Sequence, residues 1–319
     1  MEDELDTQAQ AESVKRPQIW AVGGGKGGVG KSVVSILLAL ALSRNHQRTV
    51  LMDADLGGAN LHTFMGIKNP ARTLNDFVTR KYATIEEIRT RTQVSRLDLI
   101  CGASEILSMA NPVFGQKFKI LQSISQISAD HVILDLGAGS SYNILDFFLI
   151  ADHPIVVLSP EPVSIQNAYA FVRNTVYRRL NRLANQQNSL QELIQAAMDP
   201  KNGAKLRTIT DLTKAVRKSH GSKEAGRIMR AVSRIQPMII TNMIKEQREA
   251  NAGNIVALVA EKYLNVYSMQ LGAIAHDPAI TKMVSQMIPL NELPDDSLAW
   301  ADAQRIVQTI AIPDLAATA

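Results

Sequence analysis

One cysteine, Cys101, occurs among 319 residues. A single thiol closes no disulfide and supplies no paired-cysteine zinc or iron–sulfur site within the chain. Aromatic residues make up 5%. Tyr177 alone lies in the most basic stretch, which argues against a single-strand nucleic-acid surface built on base stacking. No apolar run reaches the roughly 20 residues that span a bilayer, and no secretory signal opens the sequence. The six histidines show no ligand spacing, so no metal beyond a phosphate-bound cation is expected. Internal repeats and low-complexity tracts are missing too. These absences leave a globular chain in a reducing, cytoplasmic setting, and 46% hydrophobic residues supply its core.

The charge is uneven. The net charge is +4, yet Arg173 to Arg234 holds 14 Lys/Arg against 4 Asp/Glu, a local +10, and the remainder is −6. Residues 1–17 are acidic, polar and poor in aromatics, and read as a flexible tail before a single domain over 18–319.

Short apolar runs recur at "QIWAVG" (18–23), "TVLMD" (49–53), "LDLIC" (97–101), "HVILD" (131–135), "PIVVLS" (154–159), "PMIITN" (237–242) and "VYSMQLGAI" (266–274). Most lack alternation, the mark of strands buried on both faces of a parallel sheet. Stretches of helical period separate them, among them "KSVVSILLALALSRN", "ATIEEIRTRTQV" and "SYNILDFFLIAD". Strand–helix alternation predicts an α/β, doubly wound, mostly parallel sheet with ligands at the carboxyl ends of the strands. Residues of about 183–235 interrupt the rhythm with three helical pieces and no strand. They are expected to form a basic helical insertion on one edge of the sheet.

"GKGGVGKS", spanning Gly25, Lys26, Gly27, Gly28, Val29, Gly30, Lys31 and Ser32, matches the phosphate-loop pattern G-x-x-x-x-G-K-[ST] between a strand and a helix. Glycines let successive backbone N–H groups point at phosphate oxygens, and the helix N-terminus adds positive potential. Lys31 is placed to reach the β- and γ-phosphates, and the Ser32 hydroxyl to ligate Mg²⁺.

With its second lysine, Lys26, this loop resembles the K-G-G-x-G-K-[ST] loop of the MinD/ParA family of deviant-Walker P-loop ATPases. The resemblance extends to "VLMDADLGGANLHTFMG" (50–66), "HVILDLGAG" (131–139), "SPEPVSIQNAYAF" (159–171), "PMIITNMI" and "LGAIAHDPAI" (271–280). The first of these segments, "VLMDADLGGANLHTFMG", is closest in form to the flagellar-number regulators (FlhG/FleN-like). In order and spacing the resemblance covers about residues 18–182 and 236–310.

The resemblance implies an ATP-dependent homodimer with ATP and Mg²⁺ as cofactors. Lys26 would reach the partner subunit's nucleotide. Asp53 would hold a Mg²⁺-bound water, Asp135 would stand in the outer shell of the metal, and Asp55 would position the attacking water. Gly139 would sense the γ-phosphate, and Asn242 would meet the adenine edge. Leu136 replaces the family's usual Thr and Ala275 its usual Pro. The expected function is an ATPase switch, with slow partner-stimulated hydrolysis, that sets the position or number of a large assembly. A partition ATPase binding DNA non-specifically and an ATP-sensing scaffold with little hydrolysis are the alternatives.

Several relatives are excluded by missing parts. Iron–sulfur scaffolds need paired cysteines, and the C-terminus has no tyrosine cluster. "DDSLAWADAQRIVQTI" carries one Arg against three Asp, a poor match to an anionic bilayer, so stable membrane binding is not expected and Trp300 is read as packing. The tail's "DTQAQAESV" lacks the Leu-Arg of the regulators' activating motif. The basic insertion, taken with the Arg178, Arg179 and Arg182 region, is read first as a protein dock, with duplex DNA binding and a merely solvated surface kept open.

Overall fold

A computed structural model of the chain describes residues 16–102, 114–184, 188–199 and 206–311. Nearly all of the expected N-terminal tail lies outside these. The described strands form one sheet: β1 (Gln18–Gly23), β2 (Thr49–Ala54), β3 (Arg89–Arg91), β4 (Leu97–Ile100), β5 (His131–Leu136), β6 (His153–Leu158), β7 (Met238–Ile244) and β8 (Met269–Ala275). Their order is β3-β4-β2-β5-β1-β6-β7-β8. Each pairing is parallel except the short β3–β4 ribbon.

The helices are α1 (Lys31–Arg44), α2 (Leu61–Phe64), α3 (Leu74–Val78), α4 (Phe114–Ile124), α5 (Tyr142–Phe148), α6 (Pro162–Leu183), α7 (Asn188–Met198), α8 (Ile209–Ser233), α9 (Ala252–Leu264), α10 (Pro278–Ser285) and α11 (Leu298–Ala311). Period-two side-chain alternation divides the core between the two faces of the sheet. Trp20, Val22 and Leu51 join α1 and α11 on one face. Ile19, Ala21 and Val50 join Phe148 of α5 and Phe171 of α6 on the other. Sandwiched between the sheet and α11, α1 buries Val34, Ile36, Leu37, Leu38, Leu40 and Leu42. Each such side chain contributes about 1.5–3 kcal/mol of transfer free energy, which anchors the helix that opens at the phosphate loop. Trp300 is buried beneath the Arg44 guanidinium, 4.4 Å from the ring centre, so it packs as expected. No described helix is long and apolar enough to cross a membrane.

The seven expected strands are all present. The segment "ATIEEIRTRTQV", expected as a helix, instead forms a 3-10 turn (Glu86–Ile88) and the edge strand β3. Its charges explain the difference, because Arg89 pairs with both Glu86 and Asp98 and so ties the strand to β4. In the insertion, the second and third expected pieces run together as α8, bent at Gly221 (φ 84°, ψ 173°). Nor does this insertion lie along a sheet edge. It stacks on α6 and α9, and Leu190, Ile194, Leu212, Val216, Ile228 and Val232 enter the same core as the sheet.

Candidate functional site

At the carboxyl end of β1, the chain turns through residues 24–30 into α1. Gly30 caps that helix in the left-handed region (φ 82°, ψ 25°), and no side chain caps the helix start. The first-turn N–H groups therefore have no partner within the helix and face the site. Gly25 is fixed by space, since a Cβ there would fall 2.0 Å from the Asn167 carbonyl oxygen of α6. The loop is thus pressed onto a neighbouring helix.

Register builds the acidic side of the site. In β2 and β5, Asp53 and Asp135 are direct partners, and Asp135 also faces Val22 of β1. Both carboxylates are buried, at 1% and 3% exposure. Asp53 Oδ2 accepts from the Leu61 N–H at 3.0 Å and its Oδ1 from the Asp55 N–H at 3.2 Å. Asp135 Oδ1 accepts from the Ser35 hydroxyl at 2.9 Å, and the Ser32 hydroxyl bonds to the same carboxyl group. Burial, reinforced by the facing Asp135, pushes Asp53 up to about 7. Burial also pushes Asp135 up to about 6 against the pull of Ser32, Ser35 and Lys31. Two buried carboxylates side by side are short of positive charge, and these oxygens fit a hard divalent cation that arrives on a phosphate chain. Among the described residues no three-residue His/Cys/Asp/Glu cluster could hold a metal.

The two lysines differ in situation. Lys31 is buried, and its Nζ donates to the Lys26 carbonyl oxygen at 3.3 Å. Burial holds its pKa below the ordinary lysine value, although Asp135 and Asp55 oppose the shift. Lys26 is exposed at the loop apex. Asp55 lies across from the loop, accepting from the Gly57 N–H at 3.2 Å and resting against Gly137 and Gly58. Gly139 follows in a left-handed turn (φ 89°) with open space where a Cβ would stand. Asn242 is buried beneath the phosphate loop. Its Nδ2 donates to the Val29 carbonyl oxygen at 2.9 Å, and a Cβ on Gly30 would come within 2.3 Å of it. So the residue that the resemblance places at the adenine edge has its amide N–H engaged by the loop.

This cradle, with its lysine, hydroxyl and paired carboxylates, is a phosphate site of the P-loop kind. The ParA model, described as NUBPL iron-transfer P-loop NTPase, matches residues 15–180. The chain belongs to the ParA family of P-loop NTPases. Iron transfer is the relative's description; Cys101 is buried, and burial with Asp53 nearby pushes its thiol up to about 12. Antiactivator FleN of Pseudomonas aeruginosa is 35% identical over 189 residues, 57% of this chain and 66% of FleN. The flagellum site-determining protein YlxH of Helicobacter pylori is 32% identical over 155 residues, 48% of this chain and 52% of YlxH. The matched region thus spans about half to just under two thirds of those relatives. The septum site-determining protein MinD of Pyrococcus horikoshii, solved with Mg-ADP, shares the fold. It has a TM-score of 0.61 and 18% identity, with 94% of this chain and 97% of that one covered. ParA/MinD-family P-loop NTPases are ATPases.

Two features of this ParA-family site escaped sequence reading. Ser35 lies one turn beyond Ser32 on α1 and reaches the same carboxylate, a signal its i, i+3 spacing carries. Gly137 gives Asp55 its slot, which only the folded register reveals. The basic cluster needs correction. Arg178, Arg179 and Arg182 lie on α6 and not in the insertion. Arg178 is no surface charge: its Nε and Nη2 each reach Asp146 at 2.7 Å, beside Lys117 at 2.5 Å. This buried ion cluster removes Arg178 from any docking face. Arg182 and several cations of α8 are exposed, and Arg179 is half-buried.

Proposed function

We propose that the chain is an ATP-dependent dimerising ATPase switch that controls the position or number of a large cellular assembly, a flagellar one by its likeness to FleN and YlxH. The observation that carries this reading is the contrast between the two lysines. Lys31 lies buried beside Asp135, able to exchange the Lys26 carbonyl for the β- and γ-phosphates of its own nucleotide. Lys26 stands exposed at the apex, where a second subunit's nucleotide would sit, and would neutralise charge there. Ser32, with Asp53 and Asp135 acting through water, would hold Mg²⁺, which when bound offsets phosphate charge.

Asp55 orients the attacking water, and Gly139 lets the backbone approach the γ-phosphate. Asn242 braces the loop through Val29, while its amide oxygen would accept from the adenine amino group. Leu136 offers no hydroxyl where the family has Thr, in keeping with slow hydrolysis that a partner stimulates. The cytoplasm, where ATP is available, is the expected location.

Titration of nucleotide and measurement of phosphate release test this reading. Lys31→Ala is expected to lose ATP binding, Lys26→Ala to keep it, and Asp55→Ala to bind ATP without turning it over. Native turnover by Asp55→Ala would move the water-orienting role to another group. A second reading, non-specific duplex binding of the partition kind, is favoured by the exposed Lys214, Arg217, Lys218, Lys223 and Arg230 along α8. It predicts steeply salt-dependent, ATP-dependent retention of arbitrary duplex.

A further inference from the structure

The other end of the sheet also carries a cavity. Opposite the phosphate loop, roughly 20 Å away by the length of a six-residue strand, β6, β7 and β8 begin around a cavity of about 340 Å³. Its lining includes Asp152, Pro154, Arg234, Tyr267, Ser268 and Met269. Tyr267 is 68% exposed and Met269 49%, and the Ser268 hydroxyl is buried without a hydrogen-bond partner. Tyr, Met and Arg together are the residues enriched where proteins bind peptides.

The rim is cationic. Arg234 lies within electrostatic reach of Arg179, which also feels Arg182. Burial, then these two guanidiniums, lowers the Arg179 pKa below the ordinary arginine value. Among the described residues neither Arg179 nor Arg234 has a carboxylate partner. Arg182 only shares Asp146, at 3.6 Å, with two closer cations. Like charges held together without counter-charge call for an anion.

We propose that this rear cavity and its arginine rim dock the chain's own acidic N-terminal segment, residues 1–14. The chain enters the fold at the cavity wall. Arg16 pairs with Asp152 at 3.3 Å, and the same carboxylate accepts from the Ile19 N–H at 2.9 Å, at the start of β1. Residues 1–14 contain Glu2, Asp3, Glu4, Asp6 and Glu12 and no Lys or Arg. Leu5, set among the acids, suits an apolar floor of Pro154 and Met269 beneath a basic rim. Fourteen residues reach roughly 45 Å when extended, far more than the path requires. Tethering raises the local concentration of the segment to about the millimolar range. The docked tail neutralises the rim, so any acidic partner or duplex reaching Arg179 and Arg234 must first displace it. This inference stands independently of the nucleotide reading.

A nitroxide placed by Thr7→Cys in the full chain tests it. Cys101 is buried with its thiol pushed up to about 12, so the label attaches at position 7. Docking predicts that amide signals of Arg234, Tyr267, Ser268 and Met269 broaden at low salt. They recover at about 0.5 M salt, in Arg179→Gln/Arg234→Gln, and in Glu2→Gln/Asp3→Asn/Glu4→Gln/Asp6→Asn, whose changes lie outside the folded core. Unbroadened rear amides would overturn the proposal, as would broadening that survives neutralisation of the tail. Equal broadening in a mixture of spin-labelled chains and isotope-labelled chains without nitroxide would show a second copy's tail in the site, and would overturn it as well.

Discussion

A methyl group added at Gly137 is expected to disable hydrolysis while sparing nucleotide binding. A Cβ on residue 137 would stand 2.8 Å from Asp55 Oδ1, 3.0 Å from its carboxyl carbon and 3.2 Å from Oδ2. Its three nearest neighbours are thus all atoms of the one side chain assigned to the attacking water. Ordinary contact begins near 3.4 Å, so the carboxylate must move by roughly half an ångström. It is not free to swing, because its Oδ1 also accepts the Gly57 N–H at 3.2 Å. Misplacing a catalytic group on this scale costs about 10- to 100-fold in turnover. Gly137→Ala should therefore lower kcat by about that factor in a phosphate-release assay and leave the ATP Kd within about twofold. Added to Asp55→Ala it should cost nothing more, since both act through one group. Native kcat in Gly137→Ala would refute the placement of Asp55, and so would a further loss in the double variant.

Other expectations follow from the same geometry. Asp146→Ala leaves the buried Lys117 and the half-buried Arg178 without their shared counter-charge and should destabilise the fold by about 3–5 kcal/mol, read as a lowered urea midpoint; a change below about 1 kcal/mol would mean the cluster is solvated. Burial holds the His153 pKa below the ordinary imidazole value, and its Nδ1 is buried without a partner. The unfolded chain then binds this proton more readily, so the His153 contribution is complete above about pH 6.5 and is lost as pH falls below it. Compared with His153→Phe, the native protein should lose stability between pH 7 and 5.5, by no more than about 1.4 kcal/mol per pH unit for one proton; parallel profiles would contradict this. Asn242→Ala should loosen the phosphate loop and weaken ATP binding, detectable as earlier hydrogen exchange in residues 24–31, and unchanged exchange would remove the bracing role.

The strands were legible because the sheet is covered on both faces, so "HVILD" and "PIVVLS" are apolar throughout. The strand "RTR" was not, because an antiparallel edge stabilised by Arg89 ion pairs carries no apolar signal. The loop, Lys31 and Ser32 were legible as local chemistry. The pairing of Asp53 with Asp135 was not, since it depends on β2 and β5 aligning in register across 82 residues. Arg178 read as surface charge because its partner, Asp146, is 32 residues away on another helix. The contact of Asn242 with the phosphate loop was not legible, because nothing in "IITN" points toward Val29. The acidity of residues 1–14 was plain, whereas the arginine rim proposed to receive it is assembled from α6 and the end of α8.

The central claim is that Lys26 acts across a dimer while Lys31 acts within its own subunit. Light scattering with and without ATP and Mg²⁺ tests it most directly. The native chain should shift from monomer toward dimer on adding ATP and relax as ATP is consumed. Asp55→Ala should remain dimeric, while Lys26→Ala should bind ATP and stay monomeric. A Lys26→Ala protein that dimerises fully with ATP would contradict the account.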